Sequence, residues 1–582
     1  MTKNKREPFA YFEFMKQHTV EPILFEHPKQ VIIAEQLEDV LLAMRQVEAA
    51  LKAGYYAAGY VSYEAAPAFN KQYKVVEATN HKPFVWFGVF EKKEQMNEVE
   101  DSTQPYSCSQ WEIDLTRDDY AKKFMHIQRS IAAGETNQVN YTVRMRAPFQ
   151  GNALAFYREL TKAQSAHYTC FIETEEQQIL SASPEMFFRV KNGTIMTRPM
   201  AGTARRGKSR EEDRYQLEAL KQSDKNKLEN KMIVDLLCKD LKSISNPGTV
   251  EITSLYDIEK YPTVFQMTST VTAKLRADKS MTDVFKALFP PASMTGDPKE
   301  RTMAIISEIE DSPRGVYSGA IGYMTPDGEA IFNVPIRTVV IDKDTGIAKY
   351  GVGGGITINS TADDEYDEIV TKAAVLTRSQ TTFQLLESLR LENGTYFLLR
   401  EHLERIQQSS AYFHFKFEID DVKKALSTYA KKHPMGIQKV RLLVSQTGDI
   451  HVEGQQIKDI EESKQIAVAS SPIHKDNIFL YHKTTNRAVY EEHQVSGVYD
   501  TLLWNEAGEL TEFTNGNLVV EWGGVRYTPP VECGLLPGTF RSSLLKEKEI
   551  KEKVIHKEDL ERCSRMWLIN SVRKWVPVYI KS

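Results

Sequence analysis

The feature that most restricts this chain is a change of hydrophobic rhythm near residue 380. Up to about residue 375, runs rich in β-branched and aromatic residues alternate with amphipathic helical segments. After Gln380, FQLLESLRLENGTYFLLREHLERI reads as a hairpin around Asn393-Gly394 running into a helix. A single core rarely grows beyond about 250–300 residues, and the chain has 582. Two large folding units are therefore expected, over 1–378 and 384–582, the first split into an N-terminal part (1–110) and a main part (115–375). No Gly/Ser/Pro linker separates them, so the boundary near 376–384 is short and close packing is open to them.

The local patterns predict an α+β, mixed fold. FVWFGVF, IFNVPIRTVVI and AKYGVGGGITI read as strands. RDDYAKKFMHIQRSIAAG reads as a helix with an acidic first turn and a glycine stop, and DDEYDEIVTKAAVLTRSQ as a second helix. A formal net charge of -5 offers no general attraction for nucleic acid or an anionic membrane, so anionic ligands need local positive charge. No apolar run is long enough to span a bilayer, and MTKNKREPFAYFEF lacks the apolar core of a signal peptide. Cys108, Cys170, Cys238, Cys533 and Cys563 show no CxxC spacing, which argues against a disulfide framework or a zinc site. A cytoplasmic protein is expected.

Five segments of the first region combine into one chemistry. GETNQVNYT puts Gln138 where a helix gives way to a strand, and SASPEMFFRV puts Glu185 directly after a proline. RPMAGTARRG reads as a Gly-rich turn able to hold an anion. LENKMIVDLLCKDL carries Glu229 early in a helix, and DEYDEIVTKAA sets Glu365 and Glu368 on one helix face. Glu185 is the candidate proton donor for displacing a ring hydroxyl. Three carboxylates from two distant helices suit magnesium, which prefers oxygen ligands and shares them with its substrate. Arg337 and Lys372 can pair with substrate carboxylates. Taken singly, Glu365 and Glu368 make a solvated helix face, Glu185 a turn acid, and Gly353-Gly354-Gly355 a loop. DKDTG at 342–346 has no glutamate at the twelfth position of a calcium loop and is a turn.

Taken together, GETNQVNYT, SASPEMFF, RPMAGTARRG, ENKMIVDL, FPPASMTGDPK, GAIGYM, NVPIRT, GGGITINS and EYDEIVTKA resemble, in order, the chorismate-utilising enzyme family over about 115–375. That family includes anthranilate synthase component I, aminodeoxychorismate synthase component I and isochorismate synthase. The resemblance implies an anthranilate-synthase-like domain of β-sheets flanked by helices. It implies that Glu229 and Glu368 bind magnesium with Glu365 close by, and that Glu185 is the general acid. Arg337, Gly355 and Lys372 match substrate-carboxylate positions, while Gly202 and Thr203 line the same pocket. Gln138 stands where isochorismate-forming members carry a lysine that activates water, so it favours amination. Ala201 departs from the PIKGT of typical aminodeoxychorismate synthases and reads as anthranilate synthases do, which puts a covalent lysine intermediate in doubt. Gln266 stands where many relatives have histidine. GYVSYEAAPAF resembles the family's N-terminal part, without an evident tryptophan-binding motif.

The second region holds another set. Lys483 lies in LYHKTTNRAVY at the end of a strand-like run, Glu512 in GELTEFTNGNLVV in a turn between strands, and Arg405 on the helix REHLERIQQSSAYF. GLLPGTFR is a tight turn leading into a helix, suited to a phosphate. A lysine amine condenses with the aldehyde of pyridoxal 5'-phosphate, a carboxylate keeps its ring nitrogen protonated, and arginine with turn amides holds its phosphate. Singly, Lys483 is one surface lysine among many, Glu512 a hairpin acid, and Arg405 a partner for Glu401 one turn away. EHLERI, HKTTNRAVY, LTEFTNGN, LLPGTFR and INSVRKWVPV jointly resemble the class IV aminotransferase fold family, on its lyase branch, over about 387–580. By that resemblance Lys483 carries the cofactor, Glu512 faces its ring nitrogen, and Arg405, Thr539, Phe540 and Ser571 hold its phosphate. The strand portion that free-standing members carry at their N-terminus is short before Gln384, leaving the preceding domain or a second subunit to supply it. A homodimer through this domain is compatible with that.

Combined, the resemblances imply amination of chorismate by ammonia to aminodeoxychorismate, then expulsion of pyruvate to give p-aminobenzoate, a folate precursor. The alternative is an anthranilate synthase component I fused to a class IV amino-acid aminotransferase. VECGLL around Cys533 lacks a glutaminase nucleophile setting, so ammonia comes from solution or from a separate glutamine amidotransferase subunit.

Overall fold

A computed structural model describes residues 7–16, 19–77, 82–95, 105–108, 110–164, 166–208, 210–261, 264–376, 383–460 and 462–580. The chain divides into two compact units, one of 1–206 with 216–380 and one of 381–582 with the short segment 207–215. Most of the expected boundary at 376–384, and the end of the helical pattern running to Gln380, lie outside the described residues. Among the described residues no helix is long and apolar enough to cross a membrane, and all five cysteines are free thiols.

The first unit is built as helices, sheet, sheet, helices. An 11-stranded sheet sets Gln138–Pro148, Ile347–Ile356, Thr338–Asp342, Gln177–Ser183, Tyr168–Glu173 and Phe9–Lys16 side by side. A 10-stranded sheet orders Met200–Arg205, Val264–Lys274, Thr194–Arg198, Met186–Lys191, Ala330–Asn333, Ala320–Met324 and Tyr56–Val61. Because side chains alternate along a strand, each sheet presents two apolar faces. The inner faces meet in an aromatic layer that includes Phe12, Phe14, Phe25, Tyr60, Trp86 and Tyr323. The outer face of the first sheet is covered by Arg117–Ala132, Ala153–Gln164, Lys299–Ile309 and Ala362–Ala373, through residues such as Phe124, Phe156, Ile305 and Ile369. Val40–Lys52, Asp224–Lys242 and Met281–Leu288 cover the second. The helix Arg117–Ala132 starts where Thr116 accepts the Asp119 N–H, with Asp118 and Asp119 at its positive end, and stops before Gly134 at φ +74°.

Two expectations about these elements change. IFNVPIRTVVI is not one strand. Ala330–Asn333 belongs to the 10-stranded sheet and Thr338–Asp342 to the 11-stranded one, because Pro335 and the left-handed Arg337 (φ +53°) end the first ladder. The last helix ends at Ala373 and tightens into a 3₁₀ turn over Ala374–Leu376.

A knot of buried charge ties this unit together. Glu310, fully buried, sits 3.0 Å from Arg144 and 2.7 Å from Arg314, and accepts the Thr142 N–H and hydroxyl. Burial pushes its pKa up, but the two guanidinium groups outweigh that and hold it low. Arg314 donates onward to the carbonyls of Met294 (2.6 Å) and Asn140 (2.8 Å), and Glu64 takes the backbone N–H groups of Arg314 and Gly315.

The second unit has two parts. A four-stranded sheet orders Thr395–Tyr396, Leu385–Glu392, Ile437–Val444 and Ile450–Gln456, and packs Leu389, Val440 and Leu442 against the helices Leu399–Phe413 and Ile419–Lys432. The hairpin turns at Asn393 and Gly394, both left-handed. In the eight-stranded sheet, pairing of Leu510–Phe513 with both Asp500–Trp504 and Gly516–Trp522 closes a ring around Ile466, Leu502, Leu518 and Val576.

Replacing Glu310 by alanine leaves two buried guanidinium groups without a counter-charge, a change that costs about 3–5 kcal/mol. The first unit's urea transition is expected to shift accordingly. A shift worth less than about 1 kcal/mol would mean that the knot does not hold the sheets.

Candidate active sites

Two crossovers between the sheets of the first unit run side by side. One passes from Ser183 through Pro184 and Glu185 to Met186, the other from Asn333 through Pro335 and Arg337 to Thr338. Proline lies in both, where a ladder must stop. The Val334 N–H donates to the Glu185 carbonyl (3.0 Å), the Ser183 hydroxyl to the Val334 carbonyl (2.5 Å), and the Ala182 N–H to the Arg337 carbonyl (3.1 Å). These bonds hold Arg337 in a backbone conformation that disfavours a side chain by about 1–2 kcal/mol. Both crossovers aim their side chains into one cavity of about 320 Å³. Every residue named in the first constellation lines it: Gln138, Glu185, Gly202, Thr203, Glu229, Arg337, Gly355, Glu365, Glu368 and Lys372.

The cavity floor is the strand Gly353-Gly354-Gly355, paired with Thr142, Tyr141 and Asn140. A Cβ at Gly355 would lie 2.2 Å from the Gln138 amide nitrogen and 3.1 Å from Glu229, and one at Gly354 3.0 Å from Glu365. Glycine is needed there because polar side chains from three elements come down onto the backbone. Gln138 donates to Glu229 (3.0 Å) and Ser360 to Glu365 (2.7 Å). Lys372 pairs with Glu368 (2.6 Å) and donates to the Gly353 carbonyl, while Arg337 donates to the Lys372 carbonyl (2.6 Å). Burial raises Glu229 to about 6 and also raises Glu365, and Glu368 pushes both further in the same direction. Lys372 holds Glu368 low. Among the described residues no three acidic, histidine or cysteine groups converge as a ready-made metal cage. The donor set still fits magnesium: it is all oxygen, partly desolvated and self-repelling, and this ion keeps water or substrate oxygens for the rest of its shell.

Glu185 is buried, and burial raises its pKa to about 7. Ser293 donates to it at 2.7 Å. Ser293 was missed in the sequence although it lies inside FPPASMTGDPK, because its partner is far away in the chain. RPMAGTARRG is corrected: Met200–Arg205 is a strand, not a turn. Gly202 (φ +91°) makes a bulge in it against Gln266–Thr268, and the Gln266 side chain bonds both the Gly202 carbonyl and the Thr203 hydroxyl. Ala201 is buried on this wall.

In the second unit, Lys483 is not at the end of a strand. An irregular segment after the 3₁₀ turn Ile478–Leu480 carries it, and its carbonyl accepts the Leu386 N–H (3.0 Å). Burial, then Arg405 and Arg487, lower its amine to about 8. Glu512 lies inside the strand Leu510–Phe513 opposite Asn517, and the turn follows at Thr514-Asn515. Three donors fix its carboxyl, namely Tyr490 (2.9 Å), the Leu536 N–H (3.0 Å) and Asn517 (3.2 Å), and burial raises it to about 7.

Arg405 does not pair with Glu401. It grips Glu387 through Nε (2.8 Å) and Nη2 (2.6 Å) and reaches the Pro537 carbonyl. His402 also meets Glu387 (2.6 Å), and its other ring nitrogen lies 3.3 Å from the Thr539 hydroxyl. Burial would raise Glu387, but Arg405 and His402 bring it to about 2. Glu387 had no local signal, and His402, although inside EHLERI, was not singled out because its partner Glu387 lies elsewhere in the chain. Thr539 and Phe540 open the helix Thr539–Lys546, and the Phe540 ring packs on Phe397 and Trp575, which leaves its backbone for a ligand. Ser571 donates to the Ser388 carbonyl (3.2 Å). A desolvated lysine, a firmly held carboxyl and an arginine beside a helix start fit pyridoxal phosphate.

Comparison with known proteins agrees with this division. Residues 3–378 match the chorismate binding enzyme family and residues 384–579 the class IV amino-transferase family. The aminodeoxychorismate synthase of Streptomyces griseus is 41% identical over 274 residues, 47% of this chain and 38% of that protein. Aminodeoxychorismate synthase component 1 of Salmonella typhimurium is 37% identical over 264 residues, 45% of this chain and 58% of that one. The chain thus spans less than two thirds of these curated relatives. The crystal structure of anthranilate synthase component I from Streptococcus pneumoniae superposes with a TM-score of 0.54 at 25% identity, over 63% of this chain and 95% of that one. With its two sheets, its crossover pair and this match over most of its length, the chain belongs to the chorismate binding enzyme family and carries a class IV amino-transferase module after it.

Proposed function

We propose that the first unit aminates chorismate to 4-amino-4-deoxychorismate and that the second removes pyruvate from that product to leave p-aminobenzoate. One observation carries the reading: a single chain joins a cavity holding a protonatable acid among cations to a module holding a desolvated lysine and a fixed carboxyl. Anthranilate formation has no use for such a module. The names of the relatives that match the first region support the same product.

In the first unit Arg337 and Lys372 take the substrate's carboxylates. Glu229, Glu365 and Glu368 would hold magnesium, which neutralises the ring carboxylate when bound. Gln138, an amide without basicity, does not activate water, so ammonia is the nucleophile. As its lone pair forms the C–N bond, the C4–O bond breaks and Glu185 hands its proton to the departing oxygen, which leaves as water. The Glu185 carboxylate then takes a proton from the new ammonium. Ser293 orients the acid. Ammonia comes from a separate glutamine amidotransferase subunit, in keeping with relatives named as component 1.

In the second unit Lys483, Glu512, Arg405, Thr539, Phe540 and Ser571 would hold pyridoxal phosphate, which supplies an electron-accepting ring. Lys483 takes the proton from the carbon bearing the amine. That electron pair completes the aromatic ring as the C–O bond to the enolpyruvyl group breaks, and the departing enolate takes the proton from Lys483 onto its methylene carbon and leaves as pyruvate. Glu512, fixed by its three donors, keeps the ring nitrogen charged, and Glu387 keeps Arg405 in place for the phosphate.

Ala201 favours a second reading, anthranilate formation beside an amino-acid aminotransferase. Incubation with chorismate, magnesium, ammonium and pyridoxal phosphate is expected to yield p-aminobenzoate, and anthranilate as the aromatic product would overturn the proposal. Glu368→Ala is expected to abolish amination while added aminodeoxychorismate is still converted, and loss of both steps would mean that the two activities are not separable. Glu185 donates only when protonated, and its raised pKa keeps it so up to about pH 7. At constant free ammonia the amination rate is therefore expected to fall as pH rises through about 7, and a rate flat from pH 6 to 9 would remove Glu185 as the acid.

A further inference from the structure

Three buried side chains of the second unit form a chain of contacts that ends at a helix start. Glu387, on the strand Leu385–Glu392, lies 2.6 Å from His402 Nδ1, and His402 Nε2 lies 3.3 Å from the Thr539 hydroxyl. All three are buried. Thr539 opens the helix Thr539–Lys546, which begins after Gly538 with no side-chain cap, so its first N–H groups are open to an anion. Arg405 stands beside it, with Nη1 on the Pro537 carbonyl. Its Nε and Nη2 both go to Glu387, so the Arg405–Glu387 pair brings no net charge to that helix start.

The proton positions along this chain follow from what each group can do. Burial would raise Glu387, but Arg405 and His402 hold it at about 2, so it is ionised and only accepts. His402 must therefore carry its Nδ1 proton toward Glu387. Burial lowers the His402 imidazole, Glu387 pulls the other way, and the charges of Arg405 and Lys483 lower it further. With the site empty the ring is thus neutral above its ordinary range, and its bare Nε2 can only accept. The Thr539 hydroxyl then points its proton inward to the ring and turns its lone pairs outward, the wrong polarity for an anion at the helix start.

We propose that His402 takes up one proton from solvent when a phosphate monoester dianion docks at the start of the Thr539–Lys546 helix. Protonated Nε2 then donates to the Thr539 oxygen, and the hydroxyl proton swings out to a phosphate oxygen. The imidazolium also supplies the positive charge that the Arg405–Glu387 pair lacks. No covalent bond other than N–H forms or breaks. The inference rests on the reading of this unit as a pyridoxal phosphate module and adds a positioning residue to it. His402 sets the direction of the Thr539 hydroxyl and takes no part in proton transfer at the substrate.

The test titrates the full chain, freed of cofactor, with pyridoxine 5'-phosphate, an alcohol that cannot condense with Lys483. Calorimetry at about pH 7.5 in two buffers of different ionisation enthalpy counts the protons bound, and the phosphate is already a dianion there. His402→Asn keeps an N–H for Glu387 but cannot titrate, and ionisations of the ligand's own ring cancel between the two proteins. The wild-type chain is expected to take up close to one proton more than the variant and to bind roughly ten- to hundredfold more tightly, the effect of one charged hydrogen bond. By linkage that advantage should shrink as pH rises toward about 9, since protonation of His402 then costs about tenfold in affinity per pH unit. A loss of mere packing would be the same at every pH. Pyridoxine without its phosphate gives a check that needs no variant: its binding should lack the extra proton. Equal proton uptake in the two proteins, or an affinity ratio constant from pH 7 to 9, would overturn the inference. Uptake that depends on His402, with no p-aminobenzoate formed from aminodeoxychorismate by the reloaded enzyme, would uphold it and remove the proposed reaction.

Discussion

A carboxylate taken out of water must be met by cations and N–H groups or it will not stay charged, and each unit of this chain is held around one such group. In the first, Glu310 joins the strand of Thr142 and Arg144 to Arg314, which binds the carbonyls of Asn140 and Met294. Both of those residues line the cavity. In the second, Glu387 fixes Arg405 and His402 on one helix, and through them the approach to Pro537 and Thr539. Neither carboxylate faces a reacting atom. Each makes the backbone around a site rigid enough that the groups which do face one keep their spacing.

The two sites place opposite demands on their titrating groups, and desolvation meets both. Removing water favours the neutral form, so it lifts Glu185 toward the range where a carboxyl can give a proton and drops Lys483 toward the range where an amine can take one. Where a charge is wanted, a counter-charge is supplied, as Lys372 does for Glu368. Similar burial therefore leaves one carboxyl protonatable near neutral pH, lowers one amine toward it, and, with a counter-charge beside it, keeps a third group a carboxylate.

Much of the first site was legible because its residues sit in short, rigid contexts. Glu185 follows a proline, Glu365 and Glu368 share a helix face, and the glycine run at 353–355 can only be backbone. In the structure Gln138, Glu229, Arg337 and Lys372 line one cavity with them. What escaped was nonlocal. IFNVPIRTVVI is rich enough in β-branched residues to look like one strand, and only the pairing partners show that its halves serve different sheets. Gly202 suggested a turn, but a single left-handed residue is equally a bulge when a strand such as Val264–Lys274 lies alongside. Lys483 was placed on a strand by the apolar run before it, which instead coils into a 3₁₀ turn. Ser293, Glu387 and His402 act through partners that no local window contains.

The pair of proline-bearing crossovers does more than aim two side chains. They run side by side between the sheets, and their backbone bonds to one another couple the seats of Glu185 and Arg337. An anion bound at Arg337 would thus be held by both layers of the sandwich together, and whatever loosens the seating of one layer on the other would loosen that hold as well. Affinity for such a ligand and cohesion of the sandwich would then be two readings of a single equilibrium, an occupied cavity bracing the fold that made it.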